Sequence, residues 1–143
     1  DPNSAVNAGS NRWSFAPLVN YSYTPDKGKS WLELYVKSTF FTNNNKYRLG
    51  TLSQDPQLSL EFHASTDIAP RFWFAVDLYY DSGGQTSVNG VSQNNAANTC
   101  SAGATLNYRP WHDGKLLLQY KETLSAPGEA KTRSLTVYLA QLF

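Results

Sequence analysis

Seven segments of this 143-residue chain place apolar residues at every second position, and none places them at helical spacing. Side chains alternate across a β-strand, so each segment has one apolar face and one polar face. With no helical period and no internal repeat of roughly 20–50 residues, the chain reads as all-β.

The segments can be followed in order. Residues 11–23 set Trp13, Phe15, Pro17, Val19, Tyr21 and Tyr23 against Ser14, Ala16, Asn20 and Ser22. Pro17 has no ladder donor, so this strand is an edge or carries a bulge there. Residues 30–41 set Leu32, Leu34, Val36 and Phe40 against Glu33, Tyr35, Lys37 and Thr39. Residues 57–65 oppose Leu58, Leu60, Phe62 and Ala64 to Ser59, Glu61, His63 and Ser65. In residues 71–81 the apolar set is Phe72, Phe74, Val76, Leu78 and Tyr80, and Arg71, Trp73, Ala75, Asp77 and Tyr79 lie opposite. Residues 99–109 and 115–124 continue the pattern, with Leu106 and Tyr108, then Leu116, Leu118 and Tyr120, against Thr105 and Asn107, then Gln119, Lys121 and Thr123. The last segment, 133–143, alternates Leu135, Val137 and Leu139 with Ser134, Thr136, Tyr138 and Ala140, and ends on Phe143.

The connections add a second constraint. Residues 24–29, 66–70 and 110–114 are short turns, whereas 42–56, 82–98 and 125–132 are longer and polar. Strict alternation of short and long connections is the pattern of an antiparallel up-and-down transmembrane β-barrel, with short turns in the periplasm and long loops outside. Segments of about ten residues suit a tilted crossing of the bilayer. Trp13, Phe15, Phe40 and Tyr80 would form an outer aromatic girdle, and Tyr21, Tyr23, Phe72, Tyr108 and Phe143 a periplasmic one. In residues 82–98 almost nothing is apolar. Ordering costs roughly 1–2 kcal/mol of backbone entropy per residue, so this stretch is expected to be an exposed loop.

Seven is an odd count, and single-chain bacterial barrels are usually even-stranded. The first and last strands would run the same way, so the expectation is the C-terminal part of a larger barrel, completed by upstream strands. An unrecognised eighth strand or other chains would serve the same purpose. The whole of residues 1–143 reads as one barrel domain, with residues 1–10 an extracellular loop rich in Asn, Ser and Gly.

Composition narrows the partners. Net charge is only +1, which gives no reason to expect nucleic acid. No run of eighteen apolar residues offers a transmembrane helix. Cys100 is the sole cysteine, without a Cys or His cluster around it, so neither an internal disulfide nor a metal site is expected. No cofactor is implied. The expected partners are membrane lipid with lipopolysaccharide, and a small-molecule solute.

Two resemblances support the bacterial outer membrane. A terminal aromatic preceded by alternating apolar residues resembles the C-terminal signal strand of outer-membrane barrels, which makes Leu135, Val137, Leu139 and Phe143 candidates for a membrane-insertion signal. Gln141 departs from that pattern. The stretch Phe41-Thr42-Asn43-Asn44-Asn45, then Gln54-Asp55-Pro56-Gln57-Leu58-Ser59-Leu60-Glu61-Phe62-His63, resembles the "MetA-pathway of phenol degradation" family of outer-membrane transporters. So do Trp73-Phe74-Ala75-Val76-Asp77-Leu78-Tyr79-Tyr80, the run from Gly83 to Val91, Gly103-Ala104-Thr105-Leu106 and the terminal strand. That resemblance implies a barrel linked to uptake of aromatic compounds, and it supplies no catalytic residues.

If the apolar faces meet lipid, Glu33, Tyr35, Lys37, Glu61, His63, Arg71, Asp77, Tyr79 and Lys121 line the lumen. Lys37 or Lys121 turned to lipid near the midplane would cost about 2–4 kcal/mol, so both should point away from Leu34, Val36 and Leu118. The function this implies is an outer-membrane channel or uptake porin for small solutes, aromatic ones included, and not an enzyme. Two alternatives compete with it. His63 and Ser65, with Glu61 nearby, resemble the residue types of outer-membrane lipid A deacylases, which would make a lipid hydrolase. However, positions two apart on one strand do not by themselves bring a base to a nucleophile. The other alternative is a soluble, lipocalin-like binding barrel with its apolar faces turned inward.

Overall fold

The computed structural model describes residues 11–47, 50–112, 114–128 and 130–141. Phe143 and the residue 1–10 loop lie outside the described residues. Twelve strands are present and, among the described residues, no helix. Seven long strand paths make one antiparallel meander. It runs from β1 (Ser14–Phe15) and β2 (Leu18–Tyr23) through β3 (Ser30–Phe41), β6 (Gln57–Ala69), β7 (Phe72–Gly83), β10 (Ala97–Tyr108) and β11 (Gly114–Ser125) to β12 (Arg133–Gln141). Each long strand hydrogen-bonds its sequence neighbours. The sheet is open, since no pairing joins β2 to β12.

β1 and β2 are two pieces of one edge strand. Phe15 faces Phe40 and Leu18 faces Lys37, so the register runs straight through Ala16 and Pro17 without a bulge. Pro17 cannot donate, but its carbonyl still accepts from the Ser38 amide at 3.1 Å. The alternative of an edge strand therefore holds, and the bulge does not occur there.

Burial runs opposite to that of a soluble protein. Among the described residues Ala75 and Ala126 are the buried hydrophobic ones, while Ser59, Ser65, Asp77, Ser101, Thr105, Asn107 and Thr123 are buried on the polar face of the sheet. Leu34, Leu78, Leu118 and Val137 on the other face are 41%, 50%, 42% and 66% exposed. In water, leaving such side chains uncovered forfeits about 1.5–3 kcal/mol each. The polar face is the inner face of the curve, and the apolar band is turned outward, where only hydrocarbon makes it favourable. This is the reverse of the lipocalin-like arrangement.

The short turns fall at one end and the long connections at the other. In the β2–β3 turn Lys27 and Gly28 take positive φ (56° and 94°), which glycine adopts freely and which is uncommon at a lysine. The Asp26 carboxylate accepts from the Ser30 amide at 2.6 Å and the Ser30 hydroxyl at 2.7 Å. These bonds, the hydroxyl's first, hold the Asp26 carboxyl below its ordinary value of 3.8. A depressed carboxyl contributes order that is present above its ordinary value and is lost as pH falls through the depressed one. The protection factor of the Ser30 amide, followed by NMR in micelles, is therefore expected to fall as pH drops below about 3.8, and an Asp26→Ala variant should lose that dependence.

Two expectations need correction. The third strand does not stop at Ser65. Thr66–Ala69 continue it, with an extra residue, Ile68, between the Asp67–Trp73 and Ala69–Phe72 pairs. That bulge breaks the alternation and hides the strand. The true turn is Pro70-Arg71, with Arg71 at φ 73°. The second correction concerns the long outer connections, which are not featureless loops. β4 (Asn44–Tyr47), β5 (Gly50–Gln54), β8 (Thr86–Val88) and β9 (Val91–Ser92) form a separate four-stranded sheet. Asn89 and Gly90, both at positive φ, make the tight turn between Val88 and Val91. The Asn89 side chain accepts from the Thr51 amide at 2.8 Å. A β-carbon on Gly50 would sit 2.5 Å from that side chain, so the contact needs glycine there.

Candidate functional site

The inner face collects most of the polar residues singled out by parity. Ladder pairing sets Glu33 beside His63, His63 beside Asp77, Asp77 beside Gly103, and Gly103 beside Lys121. The adjacent row runs Tyr35, Glu61, Tyr79 and Ser101. Two turns of the pleat thus bring four carboxylate- and lysine-bearing strands onto one patch.

His63 is its centre. Its Nδ1 lies 2.6 Å from Asp77 Oδ1, and its Nε2 lies 3.5 Å from Glu61 Oε2. The ring meets Tyr35 and Tyr79 edge-on, with centroids 5.5 and 5.8 Å away. Asp77 is only 4% exposed, and its second oxygen accepts from the Thr105 hydroxyl at 3.2 Å. Tyr35 donates to Glu33 at 3.2 Å. Lys121 carries its ammonium 3.7 Å from the centre of the Tyr79 ring, a cation–π contact on the inner face and away from Leu118. Gly103 keeps the row close-packed, because a β-carbon there would come within 2.9 Å of the Tyr120 carbonyl.

The remaining candidates sit apart from this cluster. Lys37 pairs with Leu18 and Ser59, toward the outer end of the same face. Arg71 stands in the turn rather than on a strand face, exposed, and its Nη1 donates to the Pro110 carbonyl at 3.2 Å. Leu135, Val137 and Leu139 lie on the outward face, each about two-thirds exposed. Gln141, the exception in that pattern, accepts a hydrogen bond from the indole of Trp111, in the connection between β10 and β11.

Several inner-face residues were not singled out from the sequence. Asp81 accepts from the Ser59 hydroxyl at 2.6 Å. Trp73, Asn107, Gln119 and Arg109 line cavities of about 370 and 450 Å³ along the groove. Parity alone would have found Asp81, Trp73, Asn107 and Gln119. The hydrolase arrangement is not assembled, because both imidazole nitrogens of His63 face carboxylates and neither faces Ser65.

An open antiparallel meander with a polar inner face and an apolar, aromatic-edged outer face defines an outer-membrane β-barrel. The chain belongs to the "MetA-pathway of phenol degradation" family, whose profile matches residues 1–139. A crystal structure with the same fold is that of an outer membrane channel from Pseudomonas putida F1, at 19% identity and a TM-score of 0.77. That match covers 97% of this chain and 52% of the other, so this chain spans about half the length of the channel. No protein of curated description matches the sequence.

Proposed function

We propose that the chain contributes a wall of a passive outer-membrane channel for small solutes, aromatic ones among them. The observation that carries this reading is the inverted burial, with Asp77, His63 and Lys121 on the inside of the curve and the leucines outside. Charges held in fixed pairs along an inner face set the field that a passing solute meets. Membrane lipid and lipopolysaccharide are the partners of the outer band. Further strands, from the same polypeptide or another, pair with the free edges of β2 and β12 and close the pore.

Protein purified from outer membranes and reconstituted in a planar bilayer tests the proposal. Discrete conductance steps are expected, and Lys121→Glu should move the reversal potential in a KCl gradient toward cation preference. A sealed bilayer, or a Lys121→Glu variant with unchanged selectivity, would contradict it.

A further inference from the structure

His63 stands midway along β6, on the polar inner face. Each of its ring nitrogens faces a carboxylate oxygen, Nδ1 that of Asp77 at 2.6 Å and Nε2 that of Glu61 at 3.5 Å. A carboxylate only accepts, and only the doubly protonated ring has an N–H for each of them. The neutral ring leaves one lone pair pointing at a negative charge. The two partners are not equivalent. Asp77 is buried and is held a second time by the Thr105 hydroxyl at 3.2 Å, so it keeps the Nδ1 proton and fixes the ring. The Glu61 side chain is 43% exposed, so the Nε2 proton is the one that exchanges with water in the lumen. Tyr35 from β3 and Tyr79 from β7 meet the ring edge-on, which hinders its turning away from the two carboxylates.

We propose that His63 sets the charge selectivity of the channel through the proton on its Nε2, which makes the pore pH-responsive. With that proton on, the imidazolium pins Glu61 to the wall, and Glu33, Glu61, Asp77, His63 and Lys121 carry three negative and two positive charges. When the proton leaves to lumen water, one positive charge is lost and Glu61 swings away from the lone pair into the lumen. Cation preference therefore rises with pH. Histidine ordinarily changes charge between roughly pH 5 and 8. The other titratable groups around the ring are Glu33 and Tyr35 from β3, Glu61 from its own strand, Asp77 and Tyr79 from β7, and Lys121 from β11. Beside Asp77, β10 presents Thr105 and Gly103, which do not titrate. Side chains of those other types ordinarily titrate at about 4 or about 10, outside that window. This rests on the channel reading above and names the residue that tunes it.

The test uses protein purified from outer membranes and reconstituted in a planar bilayer. The reversal potential is read in a KCl gradient with the same pH on both sides, stepped from roughly 5 to 8. In the unaltered protein the permeability ratio of potassium to chloride should rise about threefold, the weight of one unit charge acting through water at about 6 Å. His63→Gln, which keeps a donor but no titrating charge, should lose that rise. Glu61→Gln should show a smaller rise, because no carboxylate is then released into the lumen. His112→Gln, in the connection between β10 and β11, should keep it whole. Heat-modifiable mobility on gels establishes that each variant is folded. A ratio flat with pH in the unaltered protein, a rise that survives His63→Gln or is undiminished in Glu61→Gln, or one lost in His112→Gln, would overturn the assignment while leaving the channel intact. Absence of any KCl current in the unaltered protein would instead remove the channel reading and this selectivity with it.

Discussion

Residues 1–143 refolded alone in micelles are expected to give edge-joined oligomers or aggregates rather than a closed monomer. β2 and β12 each pair on one side only. Every second residue of such an edge directs its N–H and C=O outward, and in hydrocarbon each unsatisfied group costs several kcal/mol. Pro17 removes a single donor from one edge. β12 carries Arg133 at its start but no proline or charge from Ser134 to Gln141, so little along it discourages pairing. The sum over two edges exceeds the usual net stability of a domain, about 5–15 kcal/mol. Light scattering and semi-native gels would check this. A monodisperse monomer with amide contacts between β2 and β12 would show that the two edges close on each other, contrary to the open sheet.

The second large effect concerns the outward face. Leu118 lies midway along β11, pairs with Leu106 and Val137, and is 42% exposed. Leu118→Arg in the intact outer-membrane protein is expected to destabilise it by about 2–4 kcal/mol, the cost of a midplane arginine in lipid. Gln119→Arg, one residue on, turns inward beside Thr105 and Thr136 and should change stability by less than about 1 kcal/mol. Urea unfolding in vesicles measures both. Two equal losses, or the reverse order, would mean that the faces are exchanged.

How far the sequence was legible depended on the length of each alternating run. In β3, β6, β7, β10 and β11 a long central run of alternation defines a strand and assigns most side chains to a face. Glu61, His63, Asp77, Tyr79 and Lys121 could therefore be grouped before any coordinates were known. β8 and β9 have three and two residues, too few for a period, and the one usable signal was Asn89-Gly90 between Val88 and Val91. β6 was read short because Ile68 in its bulge shifts the phase. Asn107 and Trp73 share the inner parity but carry no charge. Their place together in the groove wall arises from pairing across β7 and β10, which only the fold reveals.

The central claim is that apolar side chains face lipid and polar ones face the lumen. It is tested most directly by single cysteines at positions 116–121 of β11, placed in a Cys100→Ser background of the purified outer-membrane protein. Each is labelled with a fluorophore and quenched in turn by brominated lipid and by aqueous iodide. The expected result is strict alternation, with positions 116, 118 and 120 quenched by lipid and positions 117, 119 and 121 by iodide. The opposite phase, or lipid quenching at none of the six, would contradict the account.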